Sequence, residues 1–270
     1  MKIPLLVTAA LVVSVSAQAA NVGNWSGSTR SWNSSDFSSM KAAALGAGHT
    51  VEADGAMDAG NLANDDVFIV GEGAVPTPAD LSDLANWVNA GGIALILNDS
   101  GCSGCAGSNA ILDALGSTIN VTTNSAMAAP FESGQFTTEP YDIVGQSLMT
   151  SPGMEVTGGM DVAGSFIKYE AIGGGYVVVC GDRSDHNFAA PSANNVNGQF
   201  FLNVLANEAT DICDLGALAF ARGCISGTAT WDCDQNGDGQ FRLLSDTVAY
   251  LRACRGRASD LAAAISDPTK

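Results

Sequence analysis

The stretch from residue 66 to residue 98 reads DVFIVGEGAVPTPADLSDLANWVNAGGIALILN, and it holds one complete strand–helix–strand unit. Residues 67–70 and 93–97 are continuous apolar runs, which are typical of strands buried on both faces of a sheet. Thr77 and Pro78 predict a helix start, because proline is favoured in the first helical turn. Gly91 and Gly92 predict its end. A strand, a helix and a second buried strand in this order predict an α/β fold with a parallel sheet.

Segments on both sides of this unit continue the alternation of apolar strands and amphipathic helices. They are a helix over residues 37–45, a strand over 50–53, a helix over 109–115, a hairpin or pair of adjacent strands over 166–170 and 176–180, and a closing helix over 197–207. Residues 121–163 break this rhythm, since Thr, Gly, Pro and Met are more frequent there. We expect that segment to form short strands and loops that decorate the sheet.

Three passages carry a resemblance to a known family: LANWVNAGGIALIL at residues 84–97, SNAILDALGS at 108–117 and GGGYVVVCGD at 173–182. They resemble the flavodoxin-like, class I glutamine-amidotransferase-like fold, and they look closest to its non-catalytic extracellular versions. The resemblance implies a three-layer α/β sandwich with a mostly parallel sheet, which we assign to residues 21–208. It also implies that this domain has no catalytic residue.

The turn after the second strand of the opening unit comes nearest to a catalytic pattern. Amidotransferases place a nucleophilic cysteine in a G-x-C-x-G turn and pair it with a distant histidine. Here neither Cys102 nor Cys105 has glycine on both sides at that spacing, and the H-x-E partner motif is absent. Two cysteines this close in an exported protein tend to oxidise to each other. We therefore expect a local disulfide, separated from the following helix by Gly107 and Ser108.

An alternative hypothesis places chemistry at the carboxyl ends of the strands, where ligand sites collect in open α/β sheets. A secreted hydrolase or a thiol–disulfide enzyme would use Cys102 and Cys105, or His186 oriented by Asp185. A surface-loop histidine without a role is the simpler explanation for His186. The only other histidine, His49, follows a glycine-rich helix exit, and we expect it to be solvated.

The first twenty residues, MKIPLLVTAALVVSVSAQAA, predict a signal peptide over residues 1–20. Lys2 precedes an apolar run over residues 3–15, and Ala17-Gln18-Ala19 has the A-x-A arrangement that signal peptidases prefer. The run is too short for a comfortable membrane span, and no later segment is apolar for long enough to be one. The sequence therefore predicts bacterial-type export to the periplasm or the extracellular space.

The acidic composition indicates which classes of partner the protein can bind. Lys and Arg number 11 against 28 Asp and Glu, which gives a formal net charge of -17, or -18 once Lys2 is removed. Such a surface repels nucleic acid and anionic membranes and attracts divalent cations. A simpler explanation for most of the charge is that it keeps an exported protein soluble.

The seven cysteines all follow the predicted signal peptide. Cys180 ends an apolar run and is predicted to be a buried thiol. The four others outside the pair at Cys102 and Cys105 crowd the C-terminal segment, at Cys213, Cys224, Cys233 and Cys254. Their pairing stays open, because four cysteines allow three connectivities.

The segment from residue 234 to residue 246, DQNGDGQFRLLSD, follows the spacing of an EF-hand loop. Asp234, Asn236 and Asp238 supply side-chain oxygens at loop positions 1, 3 and 5, and Gln240 supplies its backbone carbonyl at position 7. Gly239 permits the sharp turn at position 6. Because calcium prefers a flexible ring of hard oxygen ligands, this spacing predicts a Ca²⁺ site. An acidic turn that binds nothing is the alternative.

The end of this loop departs from the EF-hand pattern. Ser245 stands at position 12, where an EF-hand has a bidentate carboxylate, and Asp246 stands one residue later. Either the loop holds one extra residue and Asp246 closes it, or closure is weak. We expect affinity in the range of extracellular calcium modules.

The loop and the predicted helix after it, residues 246–254, resemble one repeat of a dockerin module or a single extracellular EF-hand. We assign residues 209–258 to a disulfide-rich calcium-binding segment and residues 259–270 to a tail. Dockerins carry two repeats and this chain shows one, so a cohesin-type partner is one candidate beside another protein or a glycan. The sequence as a whole predicts an exported, non-enzymatic, calcium-binding protein with a binding or structural role outside the cell.

Overall fold

The computed structural model describes residues 19–30, 32, 37–102, 104–150, 152–182 and 195–207. The predicted calcium loop, His186 and the first 18 residues of the predicted signal peptide lie outside these ranges. Within them, no helix is long and apolar enough to cross a membrane.

Seven strands of the described residues form one sheet, and two more form a separate antiparallel ribbon. The sheet strands are β1 (Asn21–Trp25), β2 (Thr50–Gly55), β3 (Val67–Val70), β4 (Ile93–Leu97), β7 (Met160–Ala163), β8 (Ile167–Ile172) and β9 (Gly175–Cys180), and the ribbon strands are β5 (Asn120–Ala126) and β6 (Gly153–Thr157). The helices are α1 (Ser38–Gly46), α2 (Ala59–Leu62), α3 (Pro78–Asn89), α4 (Cys105–Leu115) and α5 (Val196–Ala206).

The sheet runs in the order β2-β1-β3-β4-β9-β8-β7. Neighbours from β2 to β9 pair in parallel, whereas β8 and β7 pair antiparallel at one edge. After β1 the chain first adds β2 on one side and then returns to add β3 on the other. This reversal creates a topological switch point between β1 and β3, the place where open α/β sheets form a crevice.

Helices cover both faces of the sheet, because successive side chains of a strand point to opposite faces. Ile69, Leu95 and Val178 pack into a core with α1 and α5. Phe68 and Ile96 pack into a second core with α3 and α4. The two cores explain why β3, β4 and β9 read as continuous apolar runs, which confirms the predicted mixed α/β domain with a mostly parallel sheet.

The best-predicted element is α3. Thr77 caps it as expected: the Thr77 Oγ1 atom accepts from the Asp80 N–H at 3.3 Å, and an Asp80 carboxylate oxygen accepts from the Thr77 N–H at 3.1 Å. This reciprocal pair is a capping box, which satisfies donors at a helix start. The predicted strands at 67–70 and 93–97 and the antiparallel hairpin of β8 and β9 are also confirmed.

The predicted start of α4 was wrong. The helix begins at Cys105 and takes in Gly107 and Ser108, which we had expected to separate the cysteines from it. Gly107 is tolerated inside the helix because the helix approaches another loop there: a Cβ at Gly107 would lie 2.8 Å from the Ala74 carbonyl oxygen. Tertiary contact therefore overrides the glycine signal that suggests a loop.

The strand β1, which lies between β2 and β3, carries no strand pattern in its sequence, NVGNW. The side chain of Asn24 is buried and donates to the Ile69 carbonyl at 3.2 Å. A Cβ at Gly23 would lie 2.2 Å from a carboxylate oxygen of Asp65, so a larger residue there would have to displace the Asp65 side chain. Polar and small residues thus occupy an interior strand of the sheet because of the contacts they make with distant residues.

Two asparagines of α5 hold the long connection between β5 and β6. The side chain of Asn197 pairs with both backbone groups of Met149, each at 2.9 Å. The side chain of Asn203 likewise accepts from the Tyr141 N–H at 2.9 Å and donates to the Tyr141 carbonyl at 2.8 Å. These contacts fix a segment that the sequence predicts only as decoration of the sheet.

Candidate functional site

The topological switch point lies where β1 and β3 end, and the loops that follow these two strands are bonded to each other. The Ser28 hydroxyl accepts from the Gly71 N–H at 3.0 Å. The Thr29 N–H and hydroxyl both donate to the Glu72 carbonyl, at 2.6 and 2.8 Å. A Cβ at Gly73 would lie 2.7 Å from the carbonyl oxygen of Gly27, so the loops also touch through their backbones. The Gly71 N–H, the Thr29 N–H and the Glu72 carbonyl are thus engaged within the protein.

The neighbouring pair of strand ends, β4 and β9, is joined by Asn98. This side chain is fully buried. Its backbone N–H and its Nδ2 atom donate to the carbonyl of Cys180, at 3.0 and 3.1 Å, and its Oδ1 atom accepts from the Ser108 hydroxyl at 2.8 Å. One carboxamide therefore connects β4, β9 and α4 at the carboxyl ends of the strands, where the alternative hypothesis places catalytic groups.

Cys102 and Cys105 form a disulfide across the turn between β4 and α4, with their Cα atoms 5.0 Å apart. This confirms the predicted local disulfide. Cys102 is half-buried and has a left-handed backbone with φ of 61°, whereas Cys105 is buried in the first turn of α4. As a disulfide, neither sulfur can act as the thiolate nucleophile of a hydrolase.

A carboxylate that no sequence motif singles out lies on the ribbon, bonded to a residue that the disulfide contacts. The Sγ atom of Cys102 lies 3.5 Å from the Thr122 carbonyl oxygen. The Thr122 hydroxyl and the Asn124 amide donate to the same oxygen of Glu155, at 3.0 and 2.9 Å. These hydrogen bonds, first that from Asn124 and then that from Thr122, lower the pKa of Glu155 and favour its charged form. Thr122 and Asn124 are two residues apart on β5, whereas Glu155 reaches them only through the pairing of β5 with β6, which shifts register between Val121 and Ser125.

The end of β9 presents a buried acid, Asp182, which accepts a hydrogen bond from the Thr150 hydroxyl. The chain continues from Asp182 toward Asp185 and His186, which lie outside the described residues. Cys180, at the last position of β9, is a buried thiol outside the disulfide, as predicted.

His49 is not solvated, contrary to our expectation. It is only 8% exposed, and its Nδ1 atom accepts from the Ala20 N–H at 3.0 Å. The reason is that the glycine-rich exit of α1 turns directly into β2 and places the imidazole beside the start of β1. Burial lowers the pKa of His49 and so favours the neutral ring. It lies at the amino ends of the strands and takes no part in the site at their carboxyl ends.

Asp65 also lies at the amino ends of the strands. It is 9% exposed, and its Oδ1 atom is buried without a hydrogen-bond partner. Burial, then the negative charges of Glu52 and Asp66, raise its pKa to about 7. Within the described ranges, no group of three or more His, Cys, Asp or Glu side chains is arranged to hold a metal ion.

The predicted calcium ligands Asp234, Asn236, Asp238, Gln240 and Asp246 all lie outside the described residues. The alternative catalytic residue His186 does so as well. Of the predicted functional residues, the structure thus places only the cysteine pair, at the carboxyl ends of the strands as expected.

Comparisons with known proteins find likeness in structure only. The sequence matches no protein-family model and no curated protein. Among solved structures, the N-terminal domain of mmIFT52 is similar with a TM-score of 0.51 at 13% identity, over 69% of this chain and 97% of that chain. A cytoplasmic protein from Salmonella typhimurium LT2 is similar with a TM-score of 0.51 at 11% identity, over 70% of this chain and 98% of that chain.

A protein from Bacteroides uniformis ATCC 8492, described as ThuA-like, gives a TM-score of 0.41 at 10% identity over 75% of this chain and 95% of that chain, too low to carry an argument. At such identities the two stronger matches show the fold alone. They agree with a mixed α/β domain that has a mostly parallel sheet.

Proposed function

We propose that this chain is an exported, calcium-binding protein without catalytic activity, which serves as a binding or structural component at the cell surface or outside the cell. Its α/β domain belongs, in this proposal, to the flavodoxin-like, class I glutamine-amidotransferase-like architecture. The strand order β2-β1-β3-β4-β9 supports that assignment, because it follows the 2-1-3-4-5 order of flavodoxin-like sheets.

The observation that carries the export proposal is the disulfide between Cys102 and Cys105. Disulfides persist in oxidising compartments and are rare in the cytosol. The pair is compatible with the signal peptide predicted at residues 1–20, so two independent features favour the same location.

A non-catalytic role is supported by the structural hydrogen bonds that polar groups make at the carboxyl ends of the strands. Both the oxygen and the nitrogen of the Asn98 carboxamide are hydrogen-bonded in joining β4, β9 and α4. Ser28 and Thr29 are engaged in joining the loops after β1 and β3. Groups that are committed to structural hydrogen bonds are not free to orient a substrate, and their removal leaves buried partners unsatisfied.

Calcium binding is supported by the spacing of oxygen-bearing residues from Asp234 to Asp246 and by the acidic surface. The test is calorimetric titration of the exported full-length chain with CaCl₂. We expect one saturable site that Asp234→Ala abolishes and that Asp260→Ala, a matched acidic substitution in the tail, leaves unchanged. No heat at millimolar calcium, or the same heat in Asp234→Ala, would overturn the proposal.

The closing ligand can be tested separately. If Asp246 closes a loop with one extra residue, Asp246→Ala weakens calcium binding and Ser245→Ala does not. If closure is weak instead, Ser245→Glu supplies the bidentate carboxylate of a standard loop at position 12 and should tighten binding by about tenfold. The same titration distinguishes these two forms of the loop.

Thiol–disulfide exchange is a second candidate, and the position of the cysteine pair favours it. Cys102 is half-buried rather than buried, and Cys105 opens α4, whose N-terminal dipole stabilises a thiolate. The test is whether the protein accelerates the reduction of insulin by dithiothreitol. Catalysis that is lost in Cys102→Ser would support exchange chemistry, whereas a rate equal to that of dithiothreitol alone would leave the pair a structural disulfide.

A further inference from the structure

The residue directly after the predicted processing motif is a core residue of the fold. Ala19 is exposed, whereas the side chain of Ala20 is fully buried in the core beneath α1 and α5. The Ala20 carbonyl accepts from the Thr50 N–H at 2.9 Å, which begins the pairing of β1 with β2. The Ala20 N–H donates to the His49 imidazole at 3.0 Å. Among the described residues, the first buried side chain therefore follows directly after the peptide bond between Ala19 and Ala20.

We propose that maturation cuts the Ala19–Ala20 bond and that the new α-amino group of Ala20 is held by His49 as a fixed part of the fold. The inference rests on the proposed export, and it refines the predicted boundary at residue 20. A cut after Ala20 would remove a buried side chain, the acceptor of the Thr50 N–H and the donor to His49.

The chemistry of the cut suits the surroundings of Ala20. A signal peptidase of the exporting cell hydrolyses the amide: the C–N bond breaks, the hydroxyl of water joins the Ala19 carbonyl carbon, and the amine leaves with the proton. The product is a carboxylate at Ala19 and an α-amino group at Ala20, which is protonated near neutral pH. An ammonium group keeps the donor role of the former amide and adds two further N–H bonds.

The partner groups can accept this change of charge. His49 is a competent acceptor because burial favours its neutral form. One residue along, the Asn21 N–H donates to a carboxylate oxygen of Asp66 at 2.7 Å, so negative charge lies close to the new terminus. His49, which takes no part in the site at the carboxyl ends of the strands, therefore has a role at the processed end of the chain.

The first test is the mass of the exported protein, made from the full-length chain with its own leader in a Gram-negative host. We expect every exported molecule to begin at Ala20. Export with a start at Asn21 or later would overturn this inference and leave the export proposal standing. A chain that stays uncut in the cytoplasm would contradict the export proposal, and it would contradict the proposed cleavage as well.

The second test asks whether His49 and the Ala20 nitrogen interact, by a double-mutant cycle in thermal unfolding. It compares chains that start at Ala20 and at Asn21, each with His49 and with His49→Leu. We expect the Asn21 start to lower the unfolding midpoint by several degrees. We also expect His49→Leu to lower it only in the chain that starts at Ala20. An equal loss from His49→Leu in both chains would show that the contact with Ala20 is not made.

Discussion

At the scale of the residue, Asn98 shows how one polar side chain can join three elements. Its hydrogen bonds to Cys180 and Ser108 use both ends of the carboxamide, and none of the three groups is exposed to water. A buried carboxamide that is hydrogen-bonded at both its oxygen and its nitrogen specifies geometry, and leaving one of them unpaired is costly. The turn that carries Cys102 and Cys105 is therefore held by Asn98 as well as by the disulfide.

Replacing Asn98 by aspartate should destabilise the fold. Asn98→Asp exchanges the Nδ2 donor for an oxygen that faces the Cys180 carbonyl, and it buries a negative charge. We expect the free energy of unfolding to fall by about 3 kcal/mol, measured by urea denaturation at pH 7. Asn120→Asp, at an exposed position that opens β5, is the matched control. Equal losses in the two variants would contradict the role given to Asn98.

Asp65 makes stability depend on pH. Its pKa is raised to about 7 in the folded protein from an ordinary 3.8. Between pH 4 and 7 the folded state thus holds a proton that the unfolded chain has released, and stability falls as pH rises through this window. Asp65→Asn should stabilise the protein at pH 8 by about 1–2 kcal/mol, since solvent reduces the full effect of the shift, and should change little at pH 4.

The measurement for Asp65 is the urea midpoint at pH 4, 6 and 8. Glu52→Gln is the companion variant, because it removes the negative charge that raises the pKa of Asp65 more than Asp66 does, and it leaves Asp65 in place. It should flatten the pH dependence in part. A stability gain in Asp65→Asn that is the same at every pH would show that the carboxyl does not titrate in this range.

At the scale of the element, α5 acts as a clamp for the connection between β5 and β6. Asn203→Ala removes hydrogen bonds to Tyr141 and Phe136 and leaves buried backbone groups unpaired. We expect a loss of about 2–3 kcal/mol in unfolding free energy. Asn86→Ala, at an exposed position of α3, should stay within about 0.5 kcal/mol of the parent. Urea denaturation followed by intrinsic fluorescence measures both, and indistinguishable midpoints would argue against the clamp.

Elements differed in how well the sequence predicted them, for physical reasons. The cap of α3 and the apolar runs of β3 and β4 are local or depend only on burial, so the pattern suffices. The strand β1 is set by the contacts of Gly23 with Asp65 and of Asn24 with Ile69, which join residues far apart in sequence. The early start of α4 depends on the approach of Gly107 to Ala74.

At the scale of the whole molecule, the formal net charge of -17 is the dominant feature. Self-repulsion destabilises a compact state, and salt screens it over a length of about 10 Å at 0.1 M. We expect 0.5 M NaCl to raise the thermal midpoint by about 2–4 °C. The Asp234→Ala variant should gain as much, because screening does not require the calcium loop. A midpoint that falls with NaCl would show that attractive charge pairs outweigh the repulsion.

The sequence by itself determined the α/β class, the buried strands, the capped helix α3 and the nearness of Cys102 to Cys105. These follow from periodicity, capping chemistry and short separation along the chain, all of which are local. Only the tertiary structure decided that His49 is buried against Ala20, that Asp65 is a buried acid with a raised pKa and that Glu155 is bonded to Thr122 and Asn124. Each of these depends on which distant segments meet, and that is settled by the order in which the strands pack in the sheet.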